Sequence, residues 1–244
     1  PVLALGISSL QPFAGASEWS LRAHEALVGR RGLMAAVGRS VGLALMTAVI
    51  CSVAAVVVGM LAERRRMRMA QGTSTVLSWP YLLPGSVLAM ALILTLSRPV
   101  RFIVLDRLTI TVLLAGTSWM LLVAYTMKHA AVALRPVRVA LKGIGASLDE
   151  AARMSGARPL RAFHTGTAQA LRPTLVASFT TVFLLSFSEL TLSVLLVGPD
   201  TEVVGTVLFE LHSYASPAES AALATWMTLV ALVGFFGVFR GRTS

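Results

Sequence analysis

Two stretches of this 244-residue chain bring together side chains whose types and spacing can do chemistry. The first reads Ser147-Leu148-Asp149-Glu150-Ala151-Ala152-Arg153-Met154-Ser155-Gly156. Ser147 with Glu150 three residues later is a capping-box pattern. The hydroxyl accepts from one orphan N–H of the first turn and the carboxylate reaches back to another, so a helix should start at Leu148. Gly156 fits its C-terminal cap, and Pro159 fits the first turn of a second helix, where no N–H is needed. Leu160, Phe163, Thr167, Ala170 and Leu171 then recur at helical spacing and give that helix a mostly apolar face. The pattern predicts a helix, a tight turn and a second helix lying at the membrane surface. An amphipathic hairpin resting on lipid headgroups would show the same features.

The second stretch, Phe187-Ser188-Glu189-Leu190-Thr191-Leu192-Ser193, places a carboxylate inside an apolar run. An ionisable group there is costly and marks a functional site by default. Ser186, Ser188, Thr191 and Ser193 surround Glu189, which suits a polar translocation path. The competing expectation is a structural carboxylate hydrogen-bonded to a neighbouring helix. Another apolar run contains Trp79-Pro80-Tyr81-Leu82-Leu83-Pro84-Gly85. Proline removes a donor and disfavours helix in the preceding residue, so the helix should start late or bend here. Either Trp79 and Tyr81 mark a helix start at the membrane interface, or Pro84 kinks a helix that lines the path.

Catalysis has no comparable footing. There is no Gly-x-x-x-x-Gly-Lys-Ser/Thr phosphate loop, no nucleophile elbow and no acid–base pair within a span. His129, His164 and His212 read as loop residues at scattered spacing without a metal-ligand pattern. Cys51, the single cysteine, reads as a small packing residue. No catalytic residue, metal site or cofactor is expected in this chain.

The elements that must position these residues are membrane spans. Hydrophobic residues make up 56% of the chain and charged residues 13%, about half the charged share of a soluble domain. Five apolar runs, roughly Arg39 to Leu61, Ser74 to Leu96, Thr109 to Met127, Thr174 to Val197 and Glu219 to Phe239, can each cross ~30 Å of hydrocarbon. Residues 1–8 are apolar but too short to span and lack the features of a signal peptide; they read as the end of a truncated transmembrane helix. The net charge of +10 sits in short basic clusters between the runs, as the positive-inside rule distributes it, so nucleic acid is not the expected partner. Arg64, Arg65, Arg66 and Arg68 form one cluster, the loop 128–173 holds another, and Arg240 and Arg242 a third. The loop 198–217 carries Asp200, Glu202 and Glu210 with no Lys or Arg. The Glu150 loop and the C-terminus therefore face the cytoplasm. Residues 9–38 form an outer segment, and 39–244 the transmembrane domain.

Glu-Ala-Ala, three residues, then Gly resembles the cytoplasmic loop of binding-protein-dependent ABC importer permeases, which docks into a cleft on the nucleotide-binding subunit. Glu150, Ala151, Ala152 and Gly156 are the matching positions. Small residues there let the partner approach closely, and Gly156 permits the turn. The resemblance implies an ATPase-coupling set of Glu150, Ala151, Ala152, Gly156, Ala157, Arg158, Pro159 and Arg161. It also implies an all-α type I importer fold with five full transmembrane helices plus the truncated one. Where the family usually has Leu-Pro this chain has Ala168-Gln169, although Arg172-Pro173 fits, so the start of the next span stays open. Phe187 to Glu202 looks like the ferric-iron subgroup, whose permeases are often two such units fused. Thiamine, 2-aminoethylphosphonate and polyamine permeases are near alternatives. The implied setting is the bacterial inner membrane. The implied partners are an ATPase dimer holding ATP and Mg, a second permease unit, an external solute-binding protein (periplasmic or lipid-anchored) and the lipid bilayer. Glu189, Ser188 and Pro84 are the candidate path residues. A secondary transporter or channel is the rival class, but such carriers often hold several intramembrane acids.

The topology makes a direct prediction. In a Cys51→Ser background, cysteines at Met67 and Gly145 should react with thiol reagents only from the cytoplasmic side, and one at Thr201 from outside. Labelling of position 201 exclusively from inside overturns the orientation.

Overall fold

An apolar stretch in lipid has no backbone partner but itself, and so it coils into helix. The computed structural model describes residues 2–11, 18–63, 68–98, 100–104, 108–144, 154, 166–214 and 216–240, and within them the chain is helical apart from one hairpin. The elements are α1 (Val2–Ser9), α2 (Arg22–Gly29), α3 (Leu33–Glu63), α4 (Arg68–Val76), α5 (Trp79–Leu82), α6 (Gly85–Leu96), β1 (Val100–Val104), β2 (Leu108–Val112) and α7 (Ser118–Gly143). They continue with α8 (Thr167–Phe187), α9 (Thr191–Leu196), α10 (Val204–Tyr214) and α11 (Pro217–Arg240). Among the described residues, three helices are long and apolar enough to cross a membrane: α3, α8 and α11.

The centre is a bundle of α3, α7 and α8. The inward face of α3 carries Ala36, Ser40, Ala44, Ala48, Ala55, Gly59 and Ala62, all buried. Small side chains at helical spacing let backbones approach closely, which drives helix association in lipid. Leu134, Val137 and Leu141 of α7 fill the opposing face. The fit at Gly59 is so close that a Cβ there would lie 2.8 Å from Leu141 Cδ1. A second cluster joins α2, α10 and α11 to the first turns of α3 through Leu27, Leu33, Val207, Leu211 and Leu223. α6 and α9 pack on the first half of α7 through Leu88, Leu92, Leu121, Tyr125 and Leu192.

Several expected boundaries move. The run from Ser74 to Leu96 is broken into α4, α5 and α6, with Pro84 extended at the junction (φ −53, ψ 139); the helix both interrupts and restarts late. The expected third span, Thr109 to Met127, begins instead as strand. Thr109 to Val112 are four consecutive β-branched residues, which favour a pleated hairpin, and Thr109 pairs with Ile103 in an antiparallel register. Helix α7 starts only at Ser118, where Thr117 Oγ1 accepts from the Met120 N–H at 3.4 Å, and it runs on to Gly143. Lys128 to Gly143 are therefore helix and not loop. The fourth run divides at Ser188–Leu190 into α8 and α9. α8 begins at Thr167 and carries Pro173 inside it, so Arg172-Pro173 does not mark its start. The stretches 9–38 and 198–217, read as connecting segments, contain α2 and α10.

The turn after α9 is built on glycine contact. Gly116 holds φ +70, and a Cβ on Gly198 would lie 2.2 Å from the Gly116 carbonyl oxygen. Thr201 Oγ1 accepts from the Gly198 N–H at 2.7 Å. We expect Gly198→Ala to separate the two backbones and destabilise the purified protein by about 3 kcal/mol, read as a fall in thermal midpoint. An unchanged midpoint would refute this contact.

Candidate functional site

Glu189 stands where α8 has ended and α9 has not begun, and its carboxylate gathers neighbours from several elements. Lys128 Nζ, from the middle of α7, donates to both oxygens at 2.9 Å. The Leu192 N–H, in the first turn of α9, donates to Oε1 at 3.3 Å, so the same carboxylate caps that helix. The side chains of Lys128 and Glu189 are 19% and 9% exposed, which makes this an interior ion pair. Opposite charges are the one arrangement that offsets the several kcal/mol needed to take each ion out of water. His129 Nε2 lies 3.7 Å from Oε2, beyond hydrogen-bond reach, and neither ring nitrogen of this buried side chain has a partner.

The backbone around Glu189 is equally crowded. Its carbonyl accepts from the Ser193 hydroxyl. Ser193 Oγ in turn is 2.6 Å from Tyr125 OH, so the tyrosine is the donor in that contact. A Cβ on Gly205, at the start of α10, would lie 2.7 Å from the Glu189 carbonyl oxygen. One on Gly85, at the start of α6, would lie 3.1 Å from both Lys128 Nζ and Thr191 Cβ. Two glycines therefore admit two further helix starts against the pair.

Two other polar contacts set the ends of the bundle. Arg138, on the last turns of α7, donates to Glu63 Oε1 at the end of α3 through Nε at 2.7 Å, with Lys142 Nζ 4.0 Å from Oε2. At the far end, Arg30 pairs with Glu210 at 2.8 Å, Arg39 donates to the Glu202 carbonyl at 2.5 Å, and Ser40 Oγ accepts from the Val204 N–H at 2.8 Å.

Of the expected site residues, Glu150, Ala151, Ala152, Gly156, Ala157, Arg158, Pro159 and Arg161 lie outside the described residues, as do the expected caps at Ser147 and Leu148. Glu189 is described and paired. Ser188 is exposed and returns its hydroxyl to the Leu184 carbonyl at 2.8 Å, away from the carboxylate. Pro84 is exposed and serves the pair only by placing Gly85. Sequence reading missed Lys128 and took His129 for a loop residue; the structure buries His129 in α7. The signal was there, because Ala130-Ala131-Val132-Ala133-Leu134 continues the apolar run past Lys128-His129. Among the described residues no three His, Cys, Asp or Glu side chains converge as metal ligands.

Residues 55–240 match the family described as binding-protein-dependent transport system inner membrane component. The putrescine transport system permease protein PotI of Escherichia coli K12 is 25% identical over 221 residues, 89% of this chain and 75% of that protein. The Fe(3+)-transport system permease protein FbpB 2 of Haemophilus influenzae is 27% identical over 123 residues, 50% of this chain and 24% of that protein. Among solved structures, a bacterial ABC transporter involved in import of the acidic polysaccharide alginate superposes with a TM-score of 0.73. It does so at 16% identity, over 100% of this chain and 87% of the other. The methionine ABC transporter MetNI, in inward-facing conformation, gives 0.61 at 18% identity over 86% and 96%. At such identities the likeness is one of fold.

The two ion pairs should differ in weight. Glu189→Ala leaves Lys128 uncompensated in the interior and should cost about 3–5 kcal/mol. Glu63→Ala, where the carboxylate is 13% exposed but its partners Arg138 and Lys142 are 25% and 64% exposed at the end of the bundle, leaves cations that can turn toward water and should cost less, about 1–2 kcal/mol. Thermal or denaturant midpoints of the purified variants measure the difference; equal effects would contradict it.

Proposed function

The chain belongs to the family of binding-protein-dependent transport system inner membrane components, and from that premise we propose that it is the permease through which a separate ATPase drives uptake of a small cationic solute. The observation that carries the reading is the extent of the family match. It runs from the second half of α3 to the end of α11 and takes in the Glu150–Gly156 loop. An external binding protein delivers the solute, a second permease unit (fused or separate) completes the path, and two ATPase subunits holding ATP and Mg grip the loops from the cytoplasm. ATP closes the ATPase pair, the loops are drawn together, and the spans exchange inward- for outward-facing arrangements. This chain supplies no chemistry to hydrolysis. Its work is binding, positioning and exclusion of water within the bilayer of the inner membrane.

The relatives support a cation as cargo, since both are named for one: putrescine and ferric iron. Ferric iron was the leading expectation from the sequence, but the match to the putrescine permease is the longer, at 221 residues against 123. A diammonium solute and ferric iron thus stand together as the solutes to assay.

The docking loop gives the test. Gly156, which the sequence pattern expects at a turn between two short helices, has no Cβ to obstruct a cleft or a positive φ. Gly156→Val should insert normally but lose or uncouple the ATPase. Glu150→Ala removes one cap worth ~1 kcal/mol and should weaken coupling more mildly. Copurification of the ATPase and ATP hydrolysis stimulated by the loaded binding protein should fall together. Wild-type transport by Gly156→Val, or uptake driven by an ion gradient without any ATPase, sinks the proposal.

A further inference from the structure

We propose that Lys128 is a positioning residue of the transport step. Its ion pair with Glu189 carries movement of α7 into the broken segment between α8 and α9. The proposal rests on the permease reading above and adds to it a mechanical route.

α7 is one continuous helix from Ser118 to Gly143. Its end at Gly143 is joined through Ile144 to the segment that holds Glu150, so on this proposal a pull on that segment reaches α7 at this junction. Pro136 removes one backbone hydrogen bond partway along this stretch, but the helix runs on through it, and Lys128 sits about 22 Å up α7 from Gly143 at 1.5 Å per residue. At the other side of the pair, the three residues Ser188–Leu190 separate two helices. This is where the chain can change its φ/ψ most cheaply, as hinges do at element ends.

Glu189 connects the rod to the hinge with one side chain. Its Oε1 accepts both from Lys128 and from the Leu192 N–H that opens α9. When Lys128 shifts, the carboxylate must follow or leave a charge unpaired in the interior, and α9 is held to the carboxylate. The flanking contacts suit movement. Gly85 and Gly205 present bare backbone to the pair, so α6 and α10 touch it without an interlocking side chain. His129 adds a second donor for the same carboxylate. Its Nε2 is 3.7 Å from Oε2 and unbonded, so a displacement of about 1 Å brings it into hydrogen-bond range. One carboxylate bonded to Lys128 and within about 1 Å of reach of His129 offers a second arrangement for the proposed step, as transmission between sites requires.

The experiment uses the full chain assembled with its ATPase and second permease unit in liposomes. In a Cys51→Ser background, spin labels at Leu195 on α9 and Leu229 on α11 report the α9 displacement by pulsed electron resonance. We expect the distance to change by about 3 Å between the nucleotide-free complex and the complex trapped with ATP and vanadate. Lys128→Met should hold the ATPase yet lose most of that change, and solute moved per ATP should fall about tenfold. The double variant Lys128→Met with Glu189→Gln, which leaves no unpaired charge and keeps an acceptor for the Leu192 N–H, should assemble and still lack both.

Three outcomes overturn the proposal: a full nucleotide response in Lys128→Met, a full response in the neutral double variant, or a double variant that fails to assemble, which would leave the pair a folding element alone. A wild-type complex that binds its ATPase but shows no α9 shift overturns it too. A wild-type chain that binds no ATPase refutes the permease reading instead.

Discussion

Moving a carboxylate from water into a helix bundle costs several kcal/mol even after the surroundings relax, and Glu189 is stable there only because Lys128 meets it with both donors in place. That requirement constrains much of the molecule. It fixes the rotation of α7, because only one face presents Lys128. It also fixes the end of α8, because a further turn would carry Glu189 away from its partner. Tyr125 and Ser193 hold the backbone beside the pair in the same register, and the helix starts at Gly85 and Gly205 are drawn in close enough that a methyl group would intrude.

The broken helices follow from the same accounting of polar groups. Backbone donors and acceptors inside a membrane must be met within the protein, so a break is tolerated only where side chains or neighbouring backbone take over. At Ser188–Leu190 that duty falls on the Glu189 carboxylate and the Ser193 hydroxyl. At Pro84 the missing N–H of proline coincides with a helix start, where orphan donors exist in any case. The interruptions therefore lie where α6, α8 and α9 approach Lys128.

Away from the pair the architecture is stiffer and simpler. α3 and α7 run side by side through a seam of alanine and glycine against leucine and valine, tied at one end by Glu63 and Arg138. At the other end Arg30, Arg39 and Ser40 fasten the start of α3 to α10 and to the residues just before it. A rigid seam beside a soft break is the mechanical arrangement that an ATP-driven permease needs. The proposed route uses both: it passes along the packed α7 to the three residues between α8 and α9, where the chain can bend.

The sequence by itself determined the membrane class, the spans α3 and α11, and the family, because these depend on local properties. Run length, charge clustering and a short motif each survive without knowledge of neighbours. It also singled out Glu189, since an acid in an apolar run stands out in one dimension. What it could not supply was the acid's partner. Lys128 looked like the edge of a loop until the apolar pattern beyond it proved to be helix, and Lys128 and Glu189 lie 61 positions apart. The run Thr109 to Met127 read as one span, yet the consecutive β-branched residues Thr109 to Val112 pair with Val100–Ile103 as strand. Between the two expectations for Glu189, path residue or structural carboxylate, the sequence was silent. Only the packing of α7 against the α8–α9 break decided that the charge is neutralised within the protein, because ion pairing is a property of distance in space and not of order along the chain.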